Sequence, residues 1–205
     1  SSTNNSTVKI MVKVLLDCGH GSNVAGKCSP DNRLREYRWV RELASLIEAR
    51  FDQLGIVHQR TVTDDIEPGL KARCKMANNE HKKGKCILVS LHCNAAGNNR
   101  TWNTARGWSV FVAGNSGGLS KTLAVNMAEA ALKRNLKVRT PDPQHLYWTA
   151  DLAVCKGTAC PAVLVENMFQ DNKEDLEFLL STRGKNVLCE VIVEGVCNYL
   201  GIEYK

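Results

Sequence analysis

Short apolar runs alternate with longer stretches of 3.6-residue periodicity along most of this chain. Val12 to Leu16 is β-rich and apolar, which predicts a buried strand; it stops at Asp17 and breaks into Gly19-His20-Gly21. A loop over 22–32 follows, with Gly26, Pro30, Asp31 and Asn32 as turn residues. A long helix is then predicted from about Arg33 to Leu54, with Val40, Leu43, Ala44, Ile47, Phe51 and Leu54 on one stripe and Gly55 as its stop signal. Extended back one turn, that stripe lands on Glu36. A carboxylate on the core-facing side of a helix must be paired, hydrogen-bonded or metal-bound, because burying it alone is costly.

Ile56 to Val62 reads as a second strand, Gly69 to about Lys82 as a helix, and Cys86-Ile-Leu-Val-Ser-Leu-His92 as a third buried strand. Trp108 to Ala113 is predicted as a strand, Leu119 to Leu136 as a helix, Pro161 to Glu166 as the most apolar strand and Lys185 to Leu200 as a closing helix. That last helix sets Val187, Leu188, Val191, Ile192, Val196 and Tyr199 on one face and Glu190 and Glu194 on the other. The polar stretch 94–107, the segment 139–151 with Tyr147-Trp148, and 167–171 read as irregular. Loops as long as 94–107 inside a compact domain are often functional. Strands alternating with helices call for an α/β sheet covered on both sides.

Length adds that one domain suffices: 205 residues bury a full core, and no repeat or linker marks a second. No apolar run has the length of a membrane span. The polar start, residues 1–8, lacks the apolar stretch of a signal peptide and reads as a disordered leader, an appended remnant or a trimmed mature end. A net charge of +6 suits an anionic partner: nucleic acid, an acidic membrane or an anionic cell wall. The densest basic run, Lys71 to Lys85, has no interleaved aromatic residue, so it reads as a solvated helix face rather than a base-stacking surface. Nine cysteines, an odd number with no C-x-x-C pair, argue against a cysteine-ligated zinc site and for mostly reduced, buried thiols.

The chemistry collects at strand ends. His20 follows the first strand, His92 ends the third and Glu166 ends the most apolar one; if these strands are parallel, all three gather along one sheet edge, and Glu36 at the start of the first crossover helix joins them. Two histidines and a carboxylate are a familiar zinc set with the fourth position left to water or substrate, and Glu166 is then free as general base. Each residue also has a plain structural role open to it: hydrogen-bonded histidines, a helix-start carboxylate at Glu36 favoured by the macrodipole, a loop-bonded carboxylate at Glu166. Cys93 is expected to point away from His92 across the strand, and His58 and His81 carry no chemical signal. His145, in the irregular segment, is a weaker candidate for touching substrate. Gly19-x-Gly21 with Gly26 has the wrong spacing for a phosphate-binding glycine loop.

Taken together, Asp17-Cys-Gly-His-Gly21, Glu36 opening a helix, Ser90-Leu-His-Cys-Asn-Ala95, Pro161-Ala-Val-Leu-Val-Glu166 and Phe169-Gln-Asp-Asn172 resemble the zinc-dependent N-acetylmuramoyl-L-alanine amidases, over residues 9–205 as one catalytic domain. Arg60, Asp64, Arg73 and Ala77-Asn78 also resemble that family's framework positions. The resemblance implies a twisted, mostly parallel, mixed β-sheet flanked by helices on both faces. It implies one zinc ion held by His20, Glu36 and His92, with Glu166 as the catalytic glutamate. The implied reaction is hydrolysis, by zinc-activated water, of the amide joining the lactyl group of N-acetylmuramic acid to L-alanine of the stem peptide. The expected partner is peptidoglycan, with no nucleic acid and no membrane span, and the chain is expected to act as a monomer at the bacterial cell wall. It would do so as a secreted or periplasmic autolysin or as a phage lysin made in the host cytoplasm. Asn167-Met168-Phe169 departs from the family's usual Gly-Phe after the glutamate, and Cys93 from its usual small residue. Other readings are a zinc peptidase or deacetylase on another amide, and a non-catalytic wall-binding module of the same fold.

Overall fold

In the computed structural model, which describes residues 11–205, twelve elements follow one another. They are β1 (Lys13–Cys18), α1 (Glu36–Leu54), β2 (His58–Arg60), α2 (Leu70–Lys83), β3 (Cys86–Asn94), β4 (Ser109–Ala113), α3 (Gly118–Lys133), β5 (Trp148–Ala150), α4 (Ala153–Lys156), β6 (Ala162–Phe169), α5 (Lys173–Leu180) and α6 (Thr182–Leu200). The leader expected over residues 1–8 lies outside the described residues.

The strands form one six-stranded sheet in the order β2-β1-β3-β6-β4-β5. Its neighbours pair in parallel except β4 with β6, which run antiparallel, so the sheet is mixed and mostly parallel as expected. Strands buried on both faces read as continuous apolar runs, and alternate residues here feed two separate cores. Val14, Leu16, Val89, Leu91, Val163 and Val165 pack with the apolar faces of α1, α3 and α6. Leu15, Leu88, Ala162 and Leu164 meet a thinner layer, Ala77 of α2 and Val154 and Cys155 of α4. Because α2 buries only Arg73 and Ala77 and α4 has four residues, that second face is sparsely covered.

Several expectations need correction. The second strand is three residues rather than the full 56–62 stretch, since β2 is an edge strand pairing only with β1. Segment 139–151 contains β5, too short to show alternation. Helix α5, with Asn172 as its cap (side-chain oxygen accepting from Asp175 N–H), fills a stretch that carried no assignment. The last apolar strand does not end at Glu166: β6 runs on to Phe169 through a register shift opposite His92–Asn94, with Met168 in the left-handed region at φ 63°. Glu194 is not on an outward polar face; α6 is wedged between α1 and α3, and Glu194 is buried against Lys133 Nζ (2.7 Å) and Arg134 Nη1 (2.8 Å).

Candidate metal centre

β1, β3 and β6 are adjacent and parallel, so the groups at their carboxyl ends lie together. His20 stands two residues beyond β1 in the left-handed region, φ 63°. A non-glycine residue there costs about 1 kcal/mol or more, and two arginines hold it: Arg41 Nη2 and Arg73 Nη2 each donate to the His20 carbonyl at 3.0 Å. The flanking glycines serve by lacking a Cβ. One on Gly19 would run into the His92 ring, and one on Gly21 into the backbone of Glu67.

Glu36 is the first residue of α1, its N–H bonded to Lys27 O at 2.9 Å. Its Oε2 lies 3.3 Å from His20 Nε2 and 3.2 Å from His92 Nδ1, and accepts Cys93 N–H at 3.1 Å. Burial alone would raise the Glu36 carboxyl, but hydrogen bonds and charge from the two imidazoles outweigh it and hold it at about 2. One donor atom each from His20, Glu36 and His92 all fall within 4.8 Å of one another. Two imidazole nitrogens and a carboxylate oxygen at that spacing suit a tetrahedral zinc with its fourth position open.

Behind His92 stands a buried relay. Ser90, two residues earlier on the same face of β3, donates its hydroxyl to Asp17 Oδ2 at 2.6 Å and lies 3.0 Å from His92 Nε2. With its proton committed to Asp17, Ser90 Oγ accepts from Nε2–H, so once Nδ1 gives up the proton it shares with Glu36 its lone pair is the one left to bind a cation. Burial works to raise the Asp17 carboxyl; Arg73 at 2.8 Å, Ser90 and Thr61 overcome it and hold it below its ordinary range. Arg73 also bonds Glu67 and the carbonyls of Cys18 and His20, so one buried guanidinium braces the whole turn.

Glu166 is the register partner of His92 on the adjoining strand, so both side chains leave the same face of the sheet. Its Oε2 is enclosed without a hydrogen-bond partner among the described residues. Burial pushes its carboxyl up to about 7, partly offset by the charge of His92 and, more weakly, by Lys27. Cys93 faces the α1 side, opposite His92, as the alternation requires. The remaining histidines stay apart: His58 pairs with Asp52 at 2.7 Å, His81 Nδ1 accepts Cys86 N–H at 3.1 Å, and exposed His145 pairs with Asp142 at 2.9 Å. Arg60 pairs with Glu48 (2.6 Å).

The polar loop 94–107 is pinned. The buried Asp171 carboxylate accepts Ala96 N–H (2.9 Å), Gly97 N–H (3.0 Å) and Asn103 Nδ2 (3.0 Å), and Asp175 accepts Gly107 N–H (2.8 Å). A cavity of about 770 Å³ beside Val12 and Cys86 opens at the other end of the sheet and is lined by none of His20, Glu36, His92 and Glu166. Sequence reasoning gave no role to Asp17, Ser90 or Asp171. The signal for Ser90 was its shared face with His92; Asp171 gave none beyond its place in the Phe169–Asn172 stretch.

Fold and site together define an α/β protein with a His-Glu-His cluster, a candidate cation cradle, at the carboxyl ends of parallel strands and a buried glutamate beside it. Residues 14–198 match the family described as N-acetylmuramoyl-L-alanine amidase, and the chain belongs to that family. The family is generally zinc-dependent, and the cradle is a candidate metal site of that kind. Among curated relatives, the endolysin of Bacillus phage SPP1 is 27% identical over 94% of this chain and 67% of its own length. The amidase CwlM of Bacillus licheniformis is 28% identical over 84% of this chain and 62% of its own. This chain thus spans about two thirds of those proteins. Among solved structures, the catalytic domain of CwlV from Bacillus (Paenibacillus) polymyxa var. colistinus superposes with TM-score 0.80 at 25% identity, covering 94% of this chain and 100% of that one. An amidase from Clostridium difficile 630 also gives 0.80, at 26% identity over 93% and 97%.

Proposed function

We propose that residues 9–205 form a catalytic domain that hydrolyses the amide between the lactyl group of N-acetylmuramic acid and L-alanine of the stem peptide. The observation that carries this reading is the convergence of His20, Glu36 and His92 donors within 4.8 Å, with Glu166 on the register position beside His92. His20 Nε2, Glu36 Oε2 and His92 Nδ1 would hold one zinc ion. An ion held there would supply Lewis-acid chemistry, making a carbonyl more electrophilic and a water more acidic. Glu166 takes the proton of the attacking water and delivers it to the amine of the departing L-alanine, a double role that burial favours by raising its carboxyl. Asp17 and Ser90 hold His92 in the tautomer that presents Nδ1. The proposed partner is peptidoglycan and the place of action the bacterial cell wall, reached as a monomer; the net charge of +6 favours an anionic polymer.

Glu166→Gln tests the assignment. Mass spectrometry of digested muropeptides is expected to show cleavage reduced by about a hundredfold or more, while metal analysis still finds one zinc per chain. Loss of zinc in that variant would overturn the base role. Chelation of the native protein should abolish cleavage and added zinc restore it. Products without a free lactyl end would place the reaction on another amide.

A further inference from the structure

One strand over from Glu166, the same sheet face carries a groove of about 330 Å³ that the metal centre does not use. Ser109 of β4 is the register partner of Glu166; Phe111, two residues on, faces the same way and partners Trp148 of β5. The Phe111 and Trp148 rings stack with centroids 6.2 Å apart and planes at 22°. Phe169 lines the near end, and the Arg139 guanidinium lies over its ring at 4.7 Å. The main chain of Arg139 is fixed on both sides, its N–H donating to Trp108 O at 2.8 Å and its carbonyl accepting from Trp148 Nε1 at 3.1 Å. Among the described residues, this half-buried guanidinium pairs with no carboxylate, whereas Arg41, Arg50, Arg60, Arg73 and Arg134 each do. A guanidinium braced on an aromatic face with its donors toward a groove presents the fork that a carboxylate accepts.

We propose that this groove is the peptide-side subsite and that Arg139 binds the free carboxylate of the stem residue following L-alanine. The inference rests on the amidase reading, because it treats the groove as a continuation of that site. Substrate chemistry decides which side occupies it. On the glycan side the lactyl carboxyl is consumed in the scissile amide, leaving hydroxyl and acetamido groups. On the peptide side, the residue after L-alanine is linked through one of its two carboxyls and keeps the other free unless it is amidated. The reach agrees. The 138–139 segment bridges to the start of β4, so it stands two strand spacings, about 10 Å, from β6. Two peptide residues span about 7 Å, and the arginine side chain covers the difference. Phe111 and Trp148 supply the apolar wall for the aliphatic part of that residue.

Two soluble muramoyl-tripeptides that differ only in whether the free carboxyl of the second residue is amidated provide the test. The native protein should prefer the carboxylate form. Arg139→Gln should raise KM for that form by about tenfold to a hundredfold, the worth of a hydrogen bond to a charged group, with kcat within about twofold and a clearly smaller rise in KM for the amidated form, whose amide oxygen is a weaker, neutral acceptor. Arg139→Lys should recover part of the loss. Equal losses on both substrates, or no preference in the native protein, would overturn the proposal. If the native protein cuts neither substrate, the amidase reading fails separately, and calorimetry with the tripeptides L-alanyl-γ-D-glutamyl-L-lysine and its amidated form decides the groove. Binding of the first that is lost on amidation and in Arg139→Gln supports it; equal binding, or none, refutes it.

Discussion

Between the buried Asp17 carboxylate and the His92 ring stands a single hydroxyl, Ser90 Oγ, bonded on both sides. Without it, His92 loses the acceptor that fixes its tautomer, and the Nε2–H is left in a largely buried site. Partners of this kind behind a metal ligand are worth about tenfold to a hundredfold in metal affinity. Ser90→Ala should therefore weaken zinc binding by that factor in a chelator competition, while Ser90→Thr, which keeps the hydroxyl, stays close to the native value. Equal affinity in all three would show that His92 needs no such support. The three residues that the structure brings together were legible because each sits where a periodic pattern breaks: His20 and His92 at the ends of apolar runs, Glu36 where an apolar stripe lands on a carboxylate. Ser90 was not, since a serine inside a buried strand reads as a polar interruption and its partner lies 73 residues away in the chain. The turn was legible only in outline. Its glycines suggested a sharp bend, yet the left-handed residue is His20 itself, and what Gly19 supplies is room for the His92 ring.

At the next scale, the stretch from β6 into α5 works as a clasp on loop 94–107. Asp171 takes two backbone N–H groups and the Asn103 amide, Asn172 Nδ2 donates to Asn103 O at 3.1 Å, and Gln170 Nε2 donates to Asn99 Oδ1 at 2.8 Å. A loop held this way can form a fixed wall beside the site. Asp171→Ala strands three donors and should cost about 2–4 kcal/mol, read as a lowered denaturation midpoint, with amide exchange accelerated at Ala96 and Gly97 ahead of the rest of the chain. If those amides stay protected, the clasp lies elsewhere. Elements long enough to show a period were readable: α1 and α6 differ from the sequence expectation by only three residues at their starts. β5 and α4 were not, with three and four residues, because neither runs through two cycles of its own period; β5 depends on pairing with β4, and α4 on contacts with α2, β4 and β6. Glu194 was misplaced for a related reason. The periodicity of α6 marks one buried face, whereas packing between α1 and α3 buries two, and the glutamate enters that second face because Lys133 and Arg134 meet it.

Across the whole molecule, one sheet separates a thick core from a thin one, and the candidate metal centre stands at the carboxyl edge of its parallel strands, where α1 of the thick side supplies Glu36. The same partition distributes the cysteines, all nine of them free. Cys18 and Cys189 lie in the thick core, Cys155 and Cys160 in the thin one. Burial is the leading cause that raises all four thiols, Cys18 to about 11 and Cys155, Cys160 and Cys189 to about 12. The unfolded chain releases these protons near the ordinary thiol value of about 8.5, while the native protein keeps them. The unfolded state therefore binds fewer protons above that pH, and the free energy of unfolding falls as pH rises, by about 1.4 kcal/mol per thiol per pH unit, until the folded values are reached. Stability from these groups is thus intact below about pH 8 and drains away between there and about pH 11 for Cys18 and about pH 12 for the other three. Urea denaturation under reducing conditions should show the midpoint dropping steeply from pH 8 to pH 10.5. Cys160→Ala should start from a lower midpoint, having lost buried contacts, yet decline with a slope shallower by about 1.4 kcal/mol per pH unit. A native midpoint that stays level over this range, or a variant slope equal to the native one, would show that the buried thiols are not what limits the protein in alkali.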